Sequence, residues 1–341
     1  MATKYFCAPA GAGTYNWVGG GYWYLDLAHT IPTIDPTNAD DTLFDSGFPS
    51  AAQIANVNAT ANCKNMDWTG AGNTPTLTGA SSLTVAGNLA TIAEMVWNTS
   101  GRLFFSGAGK TITTNGLTIG STINLQPSAT ISLLDNLTLG AGKDLQLWNT
   151  STSLTTNNNT LTIGTVSIVS TVTITLGSST VNCTSWSNTG TLTITVNTAT
   201  INCSGNFTGG NVNYNGATIN LTGATSSVSG NLTCAQLNLA SGTTQTITFT
   251  AGQVITVTTS SSLSGSAGHV HTLTSTGEWS IIKTGGGTIL ADYVTVRYCQ
   301  ARPANTWYAR PPSTDNGGNT GVVFPNTKGN PLSNLVNAGI I

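Results

Sequence analysis

Charge is what this sequence has least of. Its 341 residues include 10 Lys and Arg and 12 Asp and Glu, 6% in all, for a net charge of −2; soluble globular chains carry about 25%. Between Leu145 and Gly277 there is no Asp, Glu, Lys or Arg at all. Ten basic residues over this length form no stripe for a polyanion, which argues against nucleic acid as a partner. No apolar run approaches the ~20 residues of a membrane helix, so no membrane insertion is expected. The start, Met1 to Cys7, has one Lys and no apolar segment behind it, and does not read as a secretory signal. The six cysteines, Cys7, Cys63, Cys183, Cys203, Cys234 and Cys299, include no CxxC pair, which disfavours zinc. "SGAGKT" (106–111) looks like a phosphate-binding loop, but the glycine that pattern needs at position 104 is Phe104, and the residues that follow are strand-like rather than helical. No cofactor is expected.

Thr, Ser, Asn and Gly fill the gap, and they recur in phrases. Thr180-Val181-Asn182-Cys183 returns as Thr200-Ile201-Asn202-Cys203, then as Thr218-Ile219-Asn220-Leu221, and in worn form as Gln236-Leu237-Asn238-Leu239, at steps of 18 to 20 residues. Leu-Thr-Ile/Leu-Gly recurs at 117–120, 137–140 and 161–164. Stretches such as "TVTITL" (171–176) and "TLTITV" (191–196) alternate Thr with Ile, Val or Leu. That period of two places apolar side chains on one face and hydroxyls on the other. Gly, Asn and Ser clusters between them mark turns. A period near 20 with two or three short strands predicts an all-β fold, a right-handed parallel β-solenoid. Inward Val181, Ile201 and Ile219 then occupy equivalent places in successive coils. Outward Asn and Thr are expected to hydrogen-bond their counterparts one coil away. Texture divides the chain into three parts: an aromatic, Gly-rich N-terminal cap (1–50), the repeat region (51–265, roughly 10 coils at this period) and a C-terminal β-module (266–341).

Stacked like charges repel, which accounts for part of the charge depletion. Natural β-proteins place charges on exposed edges to avoid sticking, so a long uncharged wall reads as an interface. Cys183 and Cys203 lie one repeat apart, as stacked thiols or a disulfide pair. Asp35, Asp40, Asp41 and Asp45 supply oxygen ligands for calcium, though their spacing is not that of an EF-hand; a polar turn is the simpler reading. His269 and His271 share a face if they lie on one strand, read as hydrogen-bonded surface histidines. Asp135 and Asp144 are the one close carboxylate pair near the repeat wall; hydrolysis of a glycosidic bond needs two flanking carboxylates. The Thr-x-Thr strands suggest an ice-binding face, but Asn, Ser and Gln interrupt them and the phase drifts.

The two ends carry a resemblance. "YNWVGGGYW" followed by "PTNADDTLFDSG" and "CKNMDWTG", and the closing "ILADYVTVRYCQARPANTWYARPPSTDNGGNTGVVF", are similar to the opening and closing modules of a group of phage and prophage β-solenoid proteins. The likeness covers about 110 residues at the two ends; the middle matches in texture alone. It implies a virus-derived structural or surface protein rather than an enzyme. This chain departs from the group by a further tail, "NTKGNPLSNLVNAGII".

The expected function is structural: a self-assembling extracellular filament or virion-appendage subunit, released by lysis. Its partner is a second copy, docked head to tail through the apolar Leu335, Val336, Ile340 and Ile341. The alternative is an adhesin for a receptor or host-surface glycan, with Trp17, Trp23 and Trp307 as stacking surfaces. A third is a polysaccharide-acting solenoid enzyme.

Overall fold

The computed structural model describes residues 2–7, 13–45, 53–304 and 306–325. Among them there is no helix, and parallel strands stack into a β-solenoid of about 13 turns. The chain divides into two compact units. One runs up to Ser179 and includes Gly190–Thr193; the other takes Thr180–Thr189 and the chain from Ile194 onward.

Each coil of the first unit contributes to three parallel sheets. One sheet runs through Thr3–Phe6, Asp41–Phe44, Met66–Asp67, Leu89–Ala90, Lys110–Thr113, Thr130–Leu133, Thr152–Thr155 and Thr171–Gly177. A second stacks Gly13–Asn16, Gln53–Asn56, Thr76–Gly79 and Val96–Thr99. A third runs from Ala61–Cys63 through Leu83–Val85, Leu103–Phe105, Ile123–Leu125 and Leu145–Leu147 to Leu161–Ile168. The core is a set of columns, one of them Leu83, Leu103, Ile123, Leu145 and Val166, all buried.

The repeated phrases of the second unit stack in the expected register. Val181, Ile201, Ile219 and Leu237 face one another one coil apart, each at most 1% exposed. Beside them, on the outer face, stands an asparagine ladder. Asn202 Nδ2 donates to Asn182 Oδ1 at 2.8 Å, Asn220 to Asn202 at 2.7 Å, and Asn238 to Asn220 at 3.1 Å. The Ser262 backbone N–H closes the last rung on Asn238 Oδ1. An amide both donates and accepts, so each rung satisfies its neighbour without a change of residue type.

Asparagine also builds the corners. Asn115, Asn157, Asn158 and Asn211 adopt positive φ, a conformation other L-residues avoid. Asn115 and Asn157 donate to Thr91 O and Leu133 O, each 24 residues back. Close stacking leaves some corners no room for a side chain: a Cβ on Gly101 would lie 1.9 Å from Ser81 O.

Both end segments belong to the stack. Thr3–Phe6 pairs in parallel with Asp41–Phe44, and Gly13–Asn16 with Gln53–Asn56, so the aromatic N-terminal segment supplies the first coils. Trp23–Tyr24 runs antiparallel to Thr3–Phe6, as part of a hairpin that continues to Pro32. At the other end, His271–Thr274, Val294–Val296 and Thr314–Asp315 continue the parallel ladder past position 265. This is why the turns outnumber the 10 expected from the repeat region. The shift in composition at 50 and 265 reflects what the coils carry, not a change of architecture.

Ile201→Ala should lower stability by about 2–4 kcal/mol, because its column is fully buried and cannot collapse around the cavity. Urea denaturation, with hydrogen exchange to localise the loss to the coils around 201, measures this; an unchanged midpoint would reject the register.

Candidate functional site

The acidic segment is organised around a cation that the chain itself supplies. Lys4, on the first strand, is buried. Its Nζ donates to Ile34 O at 3.2 Å and Asp35 O at 3.1 Å and pairs with Asp40 Oδ2 at 3.0 Å. Asp40 also accepts from the Thr37 N–H and hydroxyl. Partial burial works against ionisation of Asp40, but the Thr37 hydroxyl and the Lys4 ammonium outweigh it and hold the carboxyl at about 2. The other carboxylates point elsewhere. Asp35 accepts from the Gly19 N–H, Asp41 from Asn65 beside Lys64, and Asp45 faces His29. The four aspartates therefore do not converge on a calcium site, and no group of three metal-ligating side chains forms among the described residues. Sequence spacing placed them together; strand pairing separates them and puts an ammonium among their oxygens.

The remaining candidates resolve as structural groups. Asp135 accepts from the Thr114 and Asn115 N–H groups of the preceding coil, while Asp144 accepts from the Thr165 N–H of the next. Each ties a turn to its neighbour. Lys110 of the loop-like "SGAGKT" opens the strand Lys110–Thr113. His271 is not a surface residue. It is fully buried, its Nδ1 accepts from the Gln245 N–H, and burial pushes its imidazole below the ordinary value. Cys183 and Cys203 stack in register as free thiols. Their mutual hydrogen bond, then burial, raises the Cys183 thiol well above its ordinary value. Burial likewise raises Cys63 and Cys234 to about 12. Leu335, Val336, Ile340 and Ile341 lie outside the described residues.

The aromatic residues proposed as stacking surfaces are core. Trp17 and Trp23 are 0% exposed and Trp307 is 3%. Trp17 and Trp23 meet edge to face at 5.0 Å, next to Phe44, which stacks on Trp68 at 3.6 Å. Large rings, Phe6, Trp17, Trp23, Phe44 and Trp68, fill the core of the first coils.

Two exposed features were not anticipated. The first is an aliphatic rim on the hairpin of the first coil. Leu25, Leu27, Ile31 and Ile34 are 45, 64, 53 and 76% exposed. Asp26 fixes the loop by accepting from the Thr30 and Ile31 N–H groups and the Thr30 hydroxyl.

The second is a wall centred on Trp148, the one tryptophan of eight that is exposed, at 41%. Asn124, Gln146 and Ser167 form an outward column in register. Trp148 lies two residues beyond Gln146, hence on the same face. Its Nε1 donates to Ser167 Oγ at 2.8 Å, and the Arg102 guanidinium sits 5.3 Å from its ring. Asn124 Oδ1 accepts from Gln126 and Asn149. Although they face outward, Asn124 and Gln146 are only 3% and 7% exposed, and Gln146 Oε1 has no hydrogen-bond partner. An unpaired buried acceptor costs about 1–3 kcal/mol. The alternation in Leu145-Gln146-Leu147-Trp148 was the available signal, since it puts the indole on the polar face.

Depressions mark the surface of the described residues. One of about 300 Å³ is lined by Asn65, Asp67, Asn88 and Thr111 among others, and another of about 450 Å³ beside Trp97 and Leu117 has no carboxylate. No protein-family model, curated protein or solved structure matches this chain.

Two outcomes follow. Lys4→Met should destabilise the first coils by about 3–5 kcal/mol, because it leaves Asp40 without its cation; amide exchange at Thr3–Phe6 and Asp41–Phe44 reads this. The folded Asp40 carboxyl titrates below its ordinary unfolded value. Its contribution should therefore be complete above about pH 4 and be lost as pH falls toward 2; a calcium-dependent gain in stability would contradict the assignment. For the thiols, a thiol reagent at pH 8 should react with Cys7, the one cysteine that is not buried, ahead of the other five, and should find six thiols after unfolding. Four would mean that Cys183 and Cys203 are bridged.

Proposed function

We propose that this protein is a structural subunit, of phage or prophage origin, that self-associates head to tail into an extracellular filament or virion appendage and catalyses no reaction. The observation that carries this reading is the aliphatic rim. Four exposed aliphatic side chains within ten residues, on a hairpin whose core rings are already buried, form an apolar patch that water disfavours. Its proposed occupant is the stretch Leu335, Val336, Ile340 and Ile341 of a second copy, which is apolar like the rim's four side chains and carries no charge to face Asp26. A net charge of −2 leaves little long-range repulsion between copies. A contact between unlike surfaces that does not close generates a filament. The adhesin reading loses the aromatic residues first assigned to it, since Trp17, Trp23 and Trp307 are buried.

Sedimentation and negative-stain microscopy test this on the full chain, on the double variant Leu27→Asp, Ile34→Asp, and on a chain ending at Asn330. Polymers of the full chain are expected, with both altered proteins monomeric. If all three sediment as the same monomer at high concentration, the filament reading is rejected. If both altered proteins polymerise like the full chain, assembly uses another surface and the head-to-tail contact is wrong.

A further inference from the structure

We infer that the wall around Trp148 is a saccharide-binding surface, with the indole as the platform for a pyranose ring and the flanking amides and Arg102 as its polar contacts. The inference does not depend on the assembly reading. Three observations converge on it.

The first is the indole itself. Seven of the eight tryptophans are at most 5% exposed, placed in the core or across coil ends. Trp148 alone stands on an outer face, where an apolar ring has no structural task. Its Nε1 is held by Ser167, and Arg102 lies against the ring, so its position is set from two sides. A fixed, half-exposed aromatic plane suits the C–H-rich face of a sugar, which is apolar in patches and too polar to be buried fully.

The second is the polar surround. Within the wall lie Asn124, Gln126, Gln146 and Asn149, with Asp144 two residues before Gln146 and Arg102 over the ring. Amides present a donor and an acceptor side by side, which matches hydroxyl groups that both donate and accept. Arg102 adds a planar fork that can take two oxygens at once. A protein, lipid or nucleic-acid partner would ask for a wide apolar patch or a cluster of like charge; this wall has neither.

The third is the unpaired acceptor. Gln146 faces outward with Trp148, yet it is nearly buried and its Oε1 has no donor. The outward ladder from Asn182 to Asn238 satisfies its amides rung by rung; Asn188 Oδ1 shares the deficit of Gln146 but is buried at 1% exposure, away from any exposed ring. Here the ladder is broken: the next coil presents Ser167, whose hydroxyl oxygen accepts from the indole and makes no bond to Gln146 Oε1. A sugar hydroxyl entering beside Trp148 would supply the missing donor. Because the polar column spans three successive coils, ending at Phe104 on the coil before, a short chain of sugars could run along the stack past Asn124 and Ser167.

The test uses the full chain and two panels of oligosaccharides: neutral hexaoses (cello-, malto- and chito-) and uronate oligomers (polygalacturonate and alginate). Binding is followed by tryptophan fluorescence, which reports Trp148 as the accessible indole, and by calorimetry. At least one panel member should bind. Trp148→Ala should raise its Kd about tenfold or more, the loss of about 1.4 kcal/mol of stacking, while Trp148→Phe retains part of the affinity. Arg102→Gln, which leaves the indole in place, should weaken uronates selectively if acidic sugars are the ligand, and both panels equally if neutral ones are. Each variant should keep the wild-type melting temperature, because the side chains lie outside the core. The inference is overturned if neither panel binds, if binding survives Trp148→Ala, or if Trp148→Ala abolishes self-association, which would make the wall an interface between copies.

Discussion

The constraint on which this structure depends is that every residue of a coil meets its own position again one coil later, at the strand spacing of about 4.8 Å. A side chain must therefore tolerate a copy of itself, or a near relative, above and below. Aliphatic residues meet that condition by packing, as in the column of Val181, Ile201, Ile219 and Leu237. Asparagine meets it by chaining donor to acceptor, as in the ladder from Asn182 to Asn238. Charge cannot meet it, because like charges in register repel. The long stretch from Leu145 to Gly277 without Asp, Glu, Lys or Arg is the chemical consequence. Charged groups survive where a column is interrupted. Lys4 pairs with Thr42 in the strand ladder and so finds Asp40 beside it rather than another lysine.

The same constraint explains what could be read from sequence. Repetition in space left repetition in the text, so the phrases ending in Cys183, Cys203 and Leu221 disclosed the strand register and the ladder before any coordinates. Where repetition fails, so does legibility. Trp17 and Trp23 sit in a Gly-rich stretch with no alternation, and nothing there distinguishes core from surface; a structure was needed to bury them. The acidic segment misled for a related reason. Asp35, Asp40, Asp41 and Asp45 are neighbours in sequence, but Lys4, which pairs with the Asp40 carboxylate and the Asp35 carbonyl, is brought in by a parallel pairing across more than 30 residues, and the other carboxylates face other partners. Trp148 is the opposite case. Its phase relative to Leu145 and Leu147 places it on the polar face, although it stands apart from the aromatic-rich ends of the chain.

The charge-free stretch also has to be weighed again. Taken alone, a long uncharged β-wall suggests adhesion between molecules. Yet its outward asparagines from Asn182 to Asn238 are already bonded to one another along the stack, so little is gained by pressing two such ladders together. The depletion of charge is accounted for by stacking within the chain. Association then falls to groups that stacking does not satisfy, and these are few and distinct in kind. The aliphatic rim at Leu25, Leu27, Ile31 and Ile34 has apolar area exposed to water, a non-directional driving force suited to docking another subunit. The Trp148 wall has an exposed ring and an acceptor without a donor, a directional deficit suited to a small polar ligand. The two deficits differ in kind, so the proposed assembly through the first and the proposed binding through the second would not compete for one partner.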